Sequence, residues 1–251
     1  MKNSTFISSS GYELPYIMLE GKTPYLVYIH GYGSSKSAIK AQFVQSVAAK
    51  TGHGFFSFDM MGHGEAGGDF GEDGSVSVWK KDVISALKFL DKDCITVGSS
   101  QGAWLMFLAA EEFPDRIKGM ISVSGAPDFT DDIVSHMTEE KKKSLEDEGI
   151  LTIHITDEIA ITVSKNLIEH GQRNLILQRG ITHPAPIVLI HGTQDKMVHY
   201  SKMFKVVNAI KSDNVKAILL KGAGHSMDNT EELHTLEIEL LELLAKTTPA
   251  E

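Results

Sequence analysis

The chain has 251 residues, 42% of them hydrophobic and 23% charged, with a formal net charge of −9. That length suits one α/β domain, or two small ones, and the composition excludes a disordered or fibrous chain. The acidic balance argues against nucleic acid or an anionic membrane surface as a partner.

Cys94 is the only cysteine, so neither a disulfide framework nor a thiolate metal site is expected. The opening "MKNSTFISSS" has no apolar core of a signal peptide. No run approaches the roughly 18 consecutive apolar residues of a membrane helix, and no repeat or low-complexity tract is present. These features predict a soluble, cytoplasmic protein without a membrane span.

In chain order, 5–9 and 13–19 read as an antiparallel start, joined by "SSGYE". "YLVYIHGYG" (25–33) is a β-branched and aromatic run ending in glycines, as a buried strand should be. A helix over 36–51 and a second buried strand, "GFFSFD" (54–59), follow, then the glycine-rich loop "MMGHGEAGGDFGEDG". Val76, Trp79, Val83, Leu87 and Leu90 recur at helical spacing. Further strands are read at 94–98, in "IKGMISVSGA", in "APIVLIHG" (185–192) and in "NVKAILLKGAGH" (214–225), with helices at 103–110, 199–210 and 230–246. This alternation predicts a mostly parallel sheet with helices on both faces.

One interruption falls between Gly125 and Pro184, far longer than a single crossover helix requires. The segment 126–183 is read as a small, mainly helical cap insertion. Its "EEKKKSLEDEG" is a solvated helix face. "LTIHITDEIAITVSKNLIEHG" supplies Ile153, Ile155, Ile159, Ile161, Val163, Leu167 and Ile168, apolar surface enough to lie across the C-terminal sheet edge where ligands bind.

The stretch "CITVGSSQGAWL" (94–105) holds two adjacent serines. The pattern G-x-S-x-G fits it in one register only, Gly98-Ser99-Ser100-Gln101-Gly102. Ser100 therefore stands at the tip of a strand-to-helix elbow, and Ser99 belongs to the strand end.

A serine hydroxyl needs a base to take its proton and an acid to orient that base. On this fold the chain order is serine, acid, histidine. "VLIHGTQDKMV" places Asp195 just past one buried strand, and "LLKGAGHSMD" places His225 just past the last. Asp128, in "SGAPDFT", also follows a strand and is the competing acid. Asp213 and Asp228 read as solvated. His63 lies in the glycine loop, whereas His191 and His199 flank the acid loop and help to shape it. No H-E-x-x-H or comparable spacing appears, so neither metal nor cofactor is expected. For the oxyanion hole, the backbone N–H groups of Gln101, after the nucleophile, and Tyr32, after His30-Gly31, are the candidate donors.

"HGYGSS", "DMMGHG", "GSSQGAW", "HGTQDKMV" and "GAGHS" together resemble the serine α/β-hydrolase superfamily across the whole chain. "SVWKKDV", "GSSQGAWLMFLAA" and "LIEHGQRNLIL" are similar to the branch containing the mitochondrial acyl-protein thioesterase and acyl-glucuronide esterase, with its bacterial relatives. The resemblance implies an α/β-hydrolase fold and a Ser100-Asp195-His225 triad. It also implies an acyl ester or thioester substrate, either a small molecule or an S-acylated protein. Two positions depart from the pattern: Glu65 stands where many superfamily members have serine, and Gln101 where leucine or methionine is common in the branch.

The expected activity is hydrolysis of carboxylic esters or thioesters through an acyl-enzyme. One alternative is an aminopeptidase of the same fold, with Asp157 and Glu158 holding a substrate amine. The other is a binding module that kept the fold and lost the chemistry. The apolar cap predicts rates rising from acetyl toward medium-length acyl chains, and the acidic whole-chain charge favours small or neutral leaving groups over polyanions such as coenzyme A. Oligomeric state has no signature in the sequence.

Overall fold

The computed structural model describes residues 4–155 and 160–247. Eight strands form one sheet in the order β1-β2-β4-β3-β5-β6-β9-β10. They are β1 (Ser4–Ile7), β2 (Glu13–Leu19), β3 (Lys22–Ile29), β4 (His53–Phe58), β5 (Cys94–Ser99), β6 (Ile117–Val123), β9 (Ile187–Gly192) and β10 (Val215–Leu220). The first two pair antiparallel and β2 runs antiparallel to β4; every later pairing is parallel.

The central strands are buried on both faces, so alternate side chains enter different cores. Along β3, Tyr25, Val27 and Ile29 join one cluster while Leu26 and Tyr28 join the other. The first cluster includes residues of α2 (Val76–Leu90), α3 (Gln101–Ala110) and α7 (Ser201–Ala209); the second includes residues of α1 (Ile39–Thr51) and α8 (Thr230–Thr247). All ten residues of α3 are buried, which is why its sequence shows no polar face. Each large side chain so placed contributes on the order of 1.5–3 kcal/mol.

Strand order sets the position of the site. The chain goes from β3 to one side, β4, and then returns to β5 on the other side of β3. The helix α1 after β3 and the helix α3 after β5 pack on opposite faces. Their connecting loops therefore diverge and open a crevice at the carboxyl ends of the strands, where α/β proteins bind ligands.

Between β6 and β9 lie α4 (Phe129–His136), α5 (Glu139–Glu148), a two-stranded hairpin β7 (Ile150–His154) with β8 (Ala160–Ser164), and α6 (Lys165–Gln172). The segment is more helix than strand, but the hairpin is a feature that the expectation of a mainly helical insertion did not contain. Its basis is the alternation in "ILTIH" and "AITVS": Leu151 and Ile153 pair with Val163 and Ile161 and turn toward the core, while Ile150 and Thr152 are exposed. α5 is solvated apart from Leu145.

Element boundaries shift where tertiary contacts intervene. α1 begins at Ile39 rather than 36 because Lys36 is turned inward: its backbone N–H and its ammonium both reach the buried Asp59 carboxylate, at 2.6 and 2.7 Å. Cys94 is buried at the start of β5, as its small apolar character implied.

Candidate active site

Ser100 sits between β5 and α3 with φ 52 and ψ −120, a conformation that costs a non-glycine residue about 1–3 kcal/mol. The surroundings enforce it. Its N–H donates to the Val123 carbonyl at 2.9 Å, and its own carbonyl accepts from Ala103 and Ala126 at 3.0 and 3.1 Å. The flanking glycines permit the close approach of strand and helix. A Cβ on Gly98 would lie 2.6 Å from the Ala103 Cα, and one on Gly102 would lie 2.2 Å from the Ile29 carbonyl oxygen. Ser99 ends β5 and stands beside the Tyr28 phenol.

Asp195 and His225 follow β9 and β10, and the structure brings both to Ser100. His225 Nε2 lies 3.0 Å from Ser100 Oγ, and His225 Nδ1 lies 2.8 Å from Asp195 Oδ2. A carboxylate only accepts, so Nδ1 carries the proton and Nε2 is free to accept from the serine hydroxyl. Asp195 Oδ1 accepts the N–H groups of Met197 and Val198 at 2.9 and 2.8 Å. Burial pushes the Asp195 carboxyl up, but hydrogen bonds from His191 and His225 outweigh it and hold the group well below the usual carboxylate range.

His191 is the neighbour whose role the sequence left vague. Its Nε2 lies 3.1 Å from Asp195 Oδ2 and 2.9 Å from the Val198 carbonyl. Both partners are acceptors, so this nitrogen carries the proton and His191 is a second donor to the acid. Its position four residues before Asp195, at the end of β9, was the only sequence signal for it.

Asp128 does other work. Both carboxylate oxygens accept from the Ile176 and Leu177 N–H groups, at 2.9 to 3.2 Å. It ties the start of α4 to the chain after α6 and, among the described residues, makes no bond to His225 or His191. Asp157 and Glu158, named for an aminopeptidase, lie outside the described residues, as does Ile159. His63 is buried beside His30, ring centroids 4.8 Å apart, in a cluster with Tyr32, Phe70 and Trp79. His199 lies 2.8 Å from Ser201 Oγ.

The loop after β3 closes the other side of the site. A Cβ on Gly31 would lie 3.1 Å from the Ser100 Cβ, so Tyr32 follows a residue in contact with the serine. The Gln101 N–H is the first of α3, where helix geometry leaves donors unpaired and the dipole favours negative charge. His30 fixes this loop: its Nε2 accepts the Met60 N–H at 3.1 Å and its Nδ1 donates to the Gly31 carbonyl at 2.9 Å. Burial and the neighbouring His63 push the His30 imidazole down to about 3, which keeps it neutral and able to do both.

Above these groups lies a cavity of about 900 Å³. Ser100, Gln101 and His225 line its floor, and Phe129, Ile133, Met137, Ile153, Ile155 and Ile161 of the inserted segment line its wall. The Tyr32 hydroxyl donates to the Thr162 carbonyl of β8, which anchors the hairpin to the loop after β3. Gln101 borders the cavity, but its carboxamide is fully buried and has no hydrogen-bond partner among the described residues. Among those residues no cluster of histidine, cysteine and carboxylates is arranged to hold a metal. None of the described helices is long and apolar enough to cross a membrane.

A doubly wound, mostly parallel sheet carrying a strained serine on the β5–α3 turn defines an α/β-hydrolase. A family model described as "Serine aminopeptidase, S33" matches residues 22–232, most of the chain, so the chain belongs to that hydrolase family and is an enzyme of the hydrolase class. The palmitoyl-protein thioesterase ABHD10, mitochondrial, of Mus musculus is 31% identical over 236 residues, covering 93% of this chain and 79% of that protein. The solved structure of alpha/beta hydrolase domain-containing protein 10 from mouse superposes with a TM-score of 0.92 at 30% identity, covering 99% of this chain and all of that one. A putative hydrolase from Agrobacterium vitis S4 shares the fold, with a TM-score of 0.90 at 23% identity over 96% of this chain and 98% of its own. The ABHD10 proteins are mitochondrial by name, so these relatives lend nothing to the cytoplasmic expectation.

Proposed function

We propose that the chain hydrolyses carboxylic esters and thioesters through an acyl-enzyme on Ser100. The observation that carries this reading is the continuous line of hydrogen bonds from Asp195 through His225 to Ser100 Oγ. His225 Nε2 takes the hydroxyl proton as Ser100 attacks the acyl carbonyl, and Asp195 stabilises the imidazolium that forms. The N–H groups of Tyr32 and Gln101 receive the oxyanion, a type of contact worth about 3–4 kcal/mol in the transition state. His225 then returns its proton to the leaving alcohol or thiol, and a water repeats the sequence to release the acid.

The inserted segment 126–183 acts as a cap whose apolar wall holds the acyl chain. Each buried methylene contributes about 0.8 kcal/mol, so three carbons shift selectivity about fiftyfold. The names of the thioesterase relatives agree with an acyl substrate, whether a small thioester or an S-acylated protein. An aminopeptidase needs a free carboxylate for the substrate amine. The one carboxylate lining the cavity among the described residues is Asp132, and it is paired with Lys202.

The test is fluorophosphonate labelling of the wild type, Ser99→Ala and Ser100→Ala proteins, followed by p-nitrophenyl esters of increasing chain length beside an aminoacyl p-nitroanilide. Labelling should survive in Ser99→Ala and vanish in Ser100→Ala, with kcat lowered by about 10⁴ to 10⁶ in the latter. The kcat/KM should rise from acetyl to medium-length chains. Labelling that persists in Ser100→Ala sinks the nucleophile assignment; a flat chain-length profile sinks the apolar cap, and efficient anilide cleavage promotes the peptidase.

A further inference from the structure

The mouth of the cavity carries the opposite charge to the protein as a whole. Lys40, Lys141, Lys196, Lys202 and Lys205 all line it, from α1, α5, the β9–α7 loop and α7. The chain has a net charge of −9, so five ammonium groups lining one cavity, against one carboxylate, Asp132, among the described residues, are a local inversion.

Two of these lysines are already occupied. Lys202 pairs with Asp132. Lys40 is buried, which pushes its ammonium down; it donates to the Ser226 carbonyl and feels the charges of Asp228 and Glu232. Lys141, Lys196 and Lys205 are different. They are exposed, and none has an ion pair or side-chain hydrogen bond among the described residues. On α5 the neighbouring Lys142 and Lys143 are satisfied by Glu139 and Asp147; Lys141, on the cavity side, is not.

We infer that the cavity takes acyl thioesters whose thiol bears phosphate, the polyanionic phosphate lying among Lys141, Lys196 and Lys205 while the acyl chain lies against the apolar wall. This rests on the esterase reading and deepens it by naming the leaving group. Three unpaired cations from three separate elements exceed what one carboxylate needs, and point-like ammonium groups suit phosphate oxygens. Transfer of the acyl group to Ser100 Oγ breaks the C–S bond, and the thiol leaves with the proton held by His225. Water then cleaves the acyl-enzyme to the free acid.

Whole-chain charge pointed to small or neutral leaving groups, but it is the field at the site that governs substrate capture. A cleft lined by one sign raises local counter-ion concentration even on a protein of that same sign.

The experiment compares one medium-length acyl chain on coenzyme A and on the neutral thiol N-acetylcysteamine, in the wild type and in Lys141→Ala/Lys196→Ala/Lys205→Ala. The neutral thioester serves as the internal reference for folding. The kcat/KM ratio of anionic to neutral thioester should fall about tenfold in the triple variant, roughly two- to threefold per lysine. In the wild type the same ratio should fall several-fold between about 20 and 300 mM salt, as the Debye length shrinks from about 20 to 6 Å. A ratio insensitive to both changes overturns the inference and leaves the esterase reading intact. Failure of the wild type to cleave either thioester, with no fluorophosphonate labelling, overturns the esterase reading itself.

Discussion

Replacing Asp195 by asparagine separates the two carboxylates that the sequence placed after strand ends. The side chain is fully buried, and its four neighbours are all donors: the Met197 and Val198 N–H groups on Oδ1, and His191 and His225 on Oδ2. Asparagine can keep its oxygen on the two backbone donors, but its amide then faces His225. To accept from that amide His225 must carry its proton on Nε2, the atom that has to receive the Ser100 proton. Loss of the base in this way lowers kcat by about 10⁴, with little change in KM. In Asp128→Asn the amide meets the Ile176 or Leu177 N–H instead, leaving a buried donor without an acceptor. That costs about 1–3 kcal/mol of stability, a melting shift of about 2–12 °C for a chain of this length, with kcat reduced less than about threefold. Steady-state kinetics on a medium-chain p-nitrophenyl ester and thermal unfolding of both variants give the answer. Equal loss of kcat in the two variants, or a silent Asp195→Asn, refutes the assignment of the acid and the tautomer argument with it.

Two further outcomes follow from the same structure. Gly102→Ala places a methyl 2.2 Å from the Ile29 carbonyl oxygen and 2.5 Å from that of His30; α3 must retreat from β3, lowering the melting temperature by about 6–12 °C for roughly 3 kcal/mol, and a variant melting like the wild type would show that the packing at this crossing is looser than described. Burial lowers the His30 imidazole to about 3 from its ordinary 6.5, and lowers His63 in the same direction. The unfolded chain therefore takes up protons that the folded one refuses below about pH 6.5, and stability is lost as pH falls through that range. His30 alone accounts for about 2 kcal/mol between pH 7 and pH 5, read as a lower urea midpoint at pH 5; an unchanged midpoint would mean that these imidazoles are not held neutral.

Much of the site was legible in the sequence because its geometry is local. The elbow register follows from steric demands within five residues: only glycine fits at 98 and 102, and only the central serine can be the strained tip. The alternation of buried runs with helical periods likewise gave the doubly wound sheet, since period 2 and period 3.6 are properties of the chain itself. Chain order and strand-end placement singled out Asp195 and His225, although neither says how near they come to Ser100.

What the sequence could not decide depends on groups far apart in the chain. Whether Asp128 or Asp195 meets His225 is settled by strand order, which sends Asp128 to brace the loop after α6. The hairpin β7–β8 escaped because its alternating residues are few and, Val163 apart, only partly buried, and its pairing is meaningful only once it rests on Tyr32. The reversal of charge at the cavity mouth is likewise invisible in a total of −9. Electrostatic potential depends on where charges stand, and lysines from four elements become neighbours only when α1, α5, α7 and the loop after β9 converge on one opening.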